Sequence, residues 1–142
     1  MVSYILDTDH LSLLQRGHEP LRQHLLDVSP DQIAITIISV EEMLRGRLTQ
    51  IGRAKRAPDR VVAYYWFQET LDFITDFVIV PYSAEADTYF EAFSGQKIRI
   101  GTQDLRIASI TFNANAVLVT RNWQDFEGVP NLRLDDWSRF SG

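Results

Sequence analysis

The 142-residue chain is 45% hydrophobic and 23% charged, with a net charge of −5 and a pI near 5.1. These values suit one globular domain over 1–142 that can bury a core without staples. The lack of cysteine excludes disulfides, thiolate metal sites and thiol catalysis, and the acidic balance argues against charge-driven binding of polyanions over the whole surface.

Val2 to Leu6 reads as a short buried strand, but Asp7 and Asp9 interrupt the apolar residues too early for a signal peptide. No apolar run approaches the length of a membrane span, so a cytoplasmic protein without membrane contact is expected. Thr8 or Asp9 is positioned to cap a helix running to about Arg16 and Gly17. Glu19 to Val28 carries Leu21, Leu25 and Leu26 at helical spacing, and Ser29-Pro30-Asp31 is a turn signal. The β-branched run from Ile33 to Ile37 predicts a second strand.

Ser39 to Ile51 predicts a helix, with Ser39-Val40-Glu41-Glu42 matching a capping box. Arg45, Arg47, Arg53, Lys55, Arg56 and Arg60 hold six of the 14 basic residues and make this the only basic stretch, with a solvated face as the ordinary reading. Val61 to Phe77 predicts a long helix rich in aromatics, with the core as their default place and a dimer face or partner groove as alternatives. Val78 to Val80 is a brief strand, Ser83 opens a helix, and Gly101-Thr102 opens another through about Asn113. Ala116 to Thr120 is a fourth strand, Gly128-Val129-Pro130 a turn, and Leu132 to Leu134 a fifth strand. Strands alternating with helices predict an α/β fold with a mostly parallel sheet of four to five strands covered on both faces.

The chemistry-bearing residues close the apolar runs. Asp7 follows the first strand, Glu42 lies in the helix after the second, Asp104 sits in the first turn of its helix, and Asn122 and Asp125 follow the fourth strand. Each has an ordinary structural role: turn, cap, dipole-favoured acid or turn former. Open α/β folds build their sites beyond the carboxyl ends of the strands, where these residues would converge. Clustered carboxylates repel unless a cation compensates them, and Mg²⁺ or Mn²⁺ takes oxygen ligands of this kind. The pattern points to metal-assisted phosphate-ester chemistry.

Four segments in order carry a resemblance over nearly the whole chain. They are Asp7-Thr8-Asp9, Glu42-Met43-Leu44-Arg45-Gly46, Gly101-Thr102-Gln103-Asp104-Leu105-Arg106, and Leu118-Val119-Thr120-Arg121-Asn122. Together with Asp125-Phe126 and Leu134-Asp135-Asp136-Trp137, they resemble PIN-domain proteins, in particular the VapC-like toxins of toxin–antitoxin pairs. The resemblance implies a PIN-like α/β/α sandwich. It also implies a Mg²⁺- or Mn²⁺-dependent endoribonuclease that cleaves single-stranded regions of RNA, forms a homodimer and is inhibited by a cognate antitoxin. By similarity, Asp7 and Asp104 carry the metal, Glu42 supports the water or a second ion, and Thr120 shapes the pocket. Many relatives have an acid at the position of Asn122, which leaves Asn122 and Asp125 as alternatives for the fourth corner. Many also carry Asn at the position of Asp9, so Asp9 is expected to add a partly compensating carboxylate beside Asp7.

Two other readings compete. Asp7-Thr8-Asp9 resembles the opening of haloacid-dehalogenase-like phosphatases, whose first Asp attacks phosphate covalently, although the only lysines, Lys55 and Lys97, are poorly placed for that family. The other is a non-catalytic PIN-type module for binding RNA or protein. His10, His18 and His24 are read as surface or core residues rather than an acid–base pair.

Overall fold

The computed structural model describes residues 1–140. Tyr4–Leu6 (β1) leads into Thr8–Gln15 (α1) and Glu19–Leu26 (α2). A single 3-10 turn, Pro30–Gln32, precedes Ile33–Thr36 (β2), followed by Ile37–Arg53 (α3) and Ala57–Thr75 (α4). Val78–Val80 (β3), Ala84–Ser94 (α5) and Thr102–Asn113 (α6) come next. Val117–Val119 (β4), Trp123–Phe126 (α7) and Leu134–Asp135 (β5) complete the order.

The five strands form one sheet in the order β3-β2-β1-β4-β5, and every neighbouring pair is parallel. Successive strand residues face opposite sides of a sheet, and the two cores follow that alternation. Ile5, Ala34 and Leu118 pack with Ala86 and Phe93 of α5 and Leu105, Ile107 and Ala108 of α6. Leu6, Ile33, Ile35 and Val119 pack on the other side with Leu11, Leu21, Met43 and Ile74, from α1 to α4. The result is the expected α/β/α sandwich. The chain steps outward from β1 to β2 and β3, then returns to the other side of β1 as β4. Between β1 and β4, therefore, the sheet has its topological switch point, where open α/β folds form a crevice.

Several local expectations are corrected. Neither Thr8 nor Asp9 caps α1; Asp7 does, its Oδ1 accepting the His10 N–H at 2.8 Å. The second strand ends at Thr36, and α3 begins at Ile37 rather than Ser39. The Thr36 hydroxyl is the cap, accepting the Ser39 N–H at 3.1 Å. Ser39 thus lies inside the first turn, and Glu42 is freed from the capping box to bond elsewhere. α4 starts at Ala57, with Pro58 in its first turn, where a missing N–H costs nothing. The fifth strand falls at Leu134–Asp135 rather than Leu132 to Leu134.

The aromatic helix does not bury most of its rings. α4 packs on α3 through a narrow stripe containing Ala63, Thr70 and Ile74. Val61, Val62, Tyr64 and Tyr65 are exposed, because α3 separates this part of α4 from the sheet core and covers one side only. Among the described residues, no helix is long and apolar enough to cross a membrane.

α1 ends in a Schellman turn: the Gly17 N–H donates to the Leu14 carbonyl at 2.9 Å and the His18 N–H to the Leu13 carbonyl at 3.0 Å. Gly17 has φ +80°, and a Cβ there would meet nothing within 4 Å. Gly17→Ala therefore tests conformation alone, and urea unfolding is expected to show a loss of about 1 kcal/mol, with Gly17→Asn losing less.

Candidate active site

Asp7, Thr8, Asp9, Glu42, Asp104, Arg121, Asn122 and Phe126 line one cavity of about 590 Å³. It lies at the carboxyl ends of β1 and β4, where the Asp7 N–H donates to the Val119 carbonyl at 3.1 Å. The fold thus brings together Asp7, Glu42 and Asp104, whose sequence positions are far apart. Asn122 joins them, while Asp125 sits one step behind.

A clip between α3 and α6 sets Glu42 beside Asp104. Gln103 Nε2 donates to Glu41 Oε1 at 2.8 Å, and the Arg106 guanidinium donates to Gln103 Oε1 at 2.7 Å. Glu41 and Gln103 are the immediate chain neighbours of the two acids. Glu41 also pairs with Arg45 at 2.7 Å, which keeps its charge out of the cavity.

Hydroxyls orient Glu42. Thr8 Oγ1 donates to Glu42 Oε1 at 2.7 Å, and the Ser39 hydroxyl lies 2.8 Å from Thr8 Oγ1. Thr8 has one proton, and Glu42 takes it, so Ser39 donates to Thr8. The Thr36 hydroxyl, 3.5 Å from Ser39 Oγ, extends the line. Each donor polarises the next in such a chain, and the chain terminates on the carboxylate.

Asp7 is only 5% exposed and is held from behind. Beyond the His10 N–H on its Oδ1, the fully buried His10 ring brings Nδ1 to 3.3 Å of the same oxygen. His10 Nε2 accepts the Trp137 N–H at 3.3 Å. His10 Nε2 also lies 3.6 Å from Asp136 Oδ1, and the buried Nδ1 makes no hydrogen bond. His10 is therefore a core residue, as expected, but one that backs the first acid.

Asp9 behaves differently from its expected role. Arg121 takes both its carboxylate oxygens, at 2.6 and 3.1 Å, so its charge is matched locally instead of being added to Asp7. Asp7, Asp9 and His10 do offer ligand atoms within 4.8 Å of one another. A cation held by that trio would compete with Arg121, which engages both Asp9 oxygens.

The two candidates for the fourth corner are bonded to each other. Asn122 Nδ2 donates to Asp125 Oδ2 at 2.8 Å, which leaves the Asn122 side-chain carbonyl as an acceptor at the cavity. The buried Thr120 accepts the Asn122 N–H at 2.9 Å and sets the turn. Asn122 lines the cavity, while Asp125 supplies charge felt at Asp104.

The electrostatic consequence appears at Asp104. Its pKa is pushed up to about 6, first by burial and then by Glu42, Asp7 and Asp125. A carboxyl group that resists ionisation among other acids lacks a positive neighbour. The donor set is all oxygen, the type that hard divalent cations take. The residues therefore fit a hard divalent cation.

No family model matches this chain. Ribonuclease VapC2 of Rickettsia felis is 28% identical to it, over 96% of this chain and 98% of that protein. The tRNA(fMet)-specific endonuclease VapC of Salmonella typhimurium is 24% identical, over 96% and 99%. The crystal structure of VapBC2 from Rickettsia felis bound to a promoter DNA fragment superposes with a TM-score of 0.75 at 27% identity, covering 96% of this chain and 99% of that one. The chain is VapC-like. A further superposition, on VapBC-1 from nontypeable Haemophilus influenzae, has a TM-score of 0.76 at 18% identity, covers 98% of this chain and 100% of that one, and speaks for the VapC fold alone.

Sequence reading missed the partners more than the acids of this cavity. The Thr8–Glu42 bond joins residues 34 positions apart, and no local pattern announces it. The Asp9–Arg121 pair spans 112 positions. His10 carried a local signal, a polar residue three positions after Asp7 inside an otherwise apolar helix face.

Asp104 also predicts a pH signature. Its folded pKa lies above the ordinary carboxylate value. Its ionisation thus favours the unfolded chain, and stability is lost as pH rises through about 6. Asp104→Asn keeps the side chain neutral. In metal-free protein it is expected to stabilise by on the order of 1 kcal/mol at pH 7.5, discounted for solvent screening of a half-exposed group. Little gain is expected at pH 4.5. Equal effects at the two pH values in urea melts would contradict the repulsion account.

Proposed function

We propose that this chain is a metal-dependent endoribonuclease that cleaves single-stranded regions of RNA and acts as the toxin of a toxin–antitoxin pair. The observation that carries the reading is the single cavity lined by Asp7, Glu42 and Asp104, with Asp104 held near pKa 6. The names of the relatives, a ribonuclease and a tRNA-specific endonuclease, supply the substrate class.

Hydrolysis of a phosphodiester needs an aligned water, a base for its proton and relief of charge on the phosphoryl oxygens. Asp7 and Asp104 are the residues that would hold Mg²⁺ or Mn²⁺, and the His10 amide fixes the Asp7 carboxylate from behind. A divalent ion in this position supplies charge neutralisation and acidifies water. Glu42 acts as the base. Thr8 occupies its Oε1, so Oε2 is the oxygen that accepts the proton of the attacking water. The Asn122 side-chain carbonyl orients a water or ligand without adding charge, and Asp125 supplies the acid that many relatives place at position 122.

The partners follow the same reading: an RNA substrate, an antitoxin and a second copy of the chain. The Rickettsia felis relative was solved as VapBC2 on promoter DNA. The exposed apolar strip of Val61, Val62, Tyr64 and Tyr65 supports a covered protein face. No observation favours the phosphatase alternative: Asp9 is bound by Arg121, and neither Lys55 nor Lys97 lines the cavity. The binding-module alternative has no observation of its own either.

Cleavage of single-stranded RNA is expected with Mg²⁺ or Mn²⁺ and is expected to stop in EDTA. Asp7→Asn and Asp104→Asn should abolish it. Glu42→Gln should lower kcat by ~10²–10⁴-fold while Mn²⁺ binding, read by calorimetry, persists. Undiminished cleavage in EDTA would sink the metal mechanism.

A further inference from the structure

A second cavity, of about 360 Å³, lies against the first. Thr8 and Glu42 line both, so the Thr8–Glu42 hydrogen bond is the wall between them. The acids stop at that wall. Beyond it the lining is Ser12, Gln15, Arg16, Met43, Gly46 and Arg47.

Arg47 is a fixed cation. Its Nε donates to the buried Thr70 Oγ1 at 3.0 Å, one terminal nitrogen to Gln15 Oε1 at 3.1 Å, and the other to Gln50 Oε1 at 3.3 Å. Its guanidinium lies over the Trp66 ring, 5.2 Å from the centroid. All of these partners are neutral. Among the described residues, no carboxylate lies within ion-pair distance of Arg47 or of Arg16. A guanidinium has five N–H groups, so two on Arg47 remain for a ligand. Arg45 and Arg56, in the same basic stretch, are consumed by Glu41 and Asp59. The basic stretch is thus not a uniform face: among the described residues Arg53, Lys55 and Arg60 also lack an ion pair, but Arg47 is the member that lines the cavity beside the acids.

We propose that this second cavity binds a non-scissile phosphate of the RNA strand, with Arg47 as the fixed anchor and the exposed Arg16 as an assistant. The proposal rests on the endoribonuclease reading for its ligand. Strand continuity favours RNA: with a scissile phosphodiester at the acidic centre, a neighbouring phosphate of the same strand must lie beside that centre, where the second cavity opens. Electrostatics favour it too. In a chain of net charge −5 with an acidic centre, an unpaired arginine next to that centre offsets repulsion where the strand must lie. Arginine's fork suits phosphate oxygens, and its immobilisation lowers the ordering cost on binding.

Arg47→Met retains much of the packing on Trp66 and removes the charge. The test measures steady-state cleavage of a mapped single-stranded RNA oligonucleotide with Mg²⁺, and its binding in EDTA by fluorescence anisotropy across a salt series. KM is expected to rise on the order of 10-fold with kcat largely kept. The slope of log affinity against log salt should shrink by about 0.7. Arg47→Lys should restore part of the affinity, and Arg16→Gln, exposed and structurally harmless, should weaken binding in the same direction. A neutral methylphosphonate next to the scissile position should erase the difference between wild type and Arg47→Met. Circular dichroism checks folding, and if Arg47→Met unfolds, Arg16→Gln and the methylphosphonate series carry the test. Unchanged KM and salt slope in folded Arg47→Met would overturn the proposal. So would unchanged RNA binding together with a weakened antitoxin complex, which would assign the cavity to the antitoxin. RNA binding that depends on Arg47 without any cleavage would retain the phosphate site and reject the endoribonuclease reading.

Discussion

Carboxylates that share a half-buried cavity repel one another, and this fold holds Asp7, Glu42 and Asp104 in one. Much of the local structure around the cavity is a response to that repulsion. Asp9 and Glu41, the acids nearest in sequence to Asp7 and Glu42, are each paired with an arginine. The three that remain receive hydrogen bonds or stay partly protonated: Asp7 from the His10 amide, Glu42 from Thr8, and Asp104 by a raised pKa. The excess negative charge is concentrated where a divalent ion fits and removed elsewhere.

The sheet makes this concentration affordable in structural terms. Parallel pairing aligns the carboxyl ends of β1, β2 and β4, and the switch in direction between β1 and β4 opens a crevice there. Two apolar cores, one on each face, lock the register by burying alternate strand residues. A slip of one residue would exchange Ile5 with Leu6 and Leu118 with Val119 between the cores and rotate Asp7 out of the crevice. Side-chain clips then act on a frame that is already rigid. The Glu41–Gln103 bond joins α3 to α6, and the Ser39–Thr8–Glu42 line joins α3 to α1.

The charge pattern around the centre is asymmetric. Toward β4, Arg121 is spent on Asp9. Toward α3 and α4, Arg47 is held by neutral groups and an aromatic ring, and its charge is not matched. The centre thus has acids that need a cation on one side and an unmatched arginine on the other. This polarity gives the site a direction without requiring a basic surface, consistent with the low overall pI.

The alternation of short apolar runs with helical spacing was enough to read an α/β sandwich, because buried parallel strands and amphipathic helices carry local periodicities. Asp7, Glu42 and Asp104 stood out for the same reason, each closing or following such a run. Cap assignments failed at Thr8 and Ser39, since a hydroxyl can bond its own helix or a distant side chain, and only the packing of α1 on α3 joins Ser39 to Thr8 and Thr8 to Glu42. The burial of α4 was misread because hydrophobicity along a helix does not tell how much of it another helix covers. Residue types and their order thus determined the fold class and the candidate acids. Which charges are matched, by Arg121 on Asp9 or by Arg45 on Glu41, and which are left unmatched at Asp104 and Arg47, was decided only in three dimensions. Coulomb interactions and hydrogen bonds depend on distances between residues that the chain itself keeps far apart.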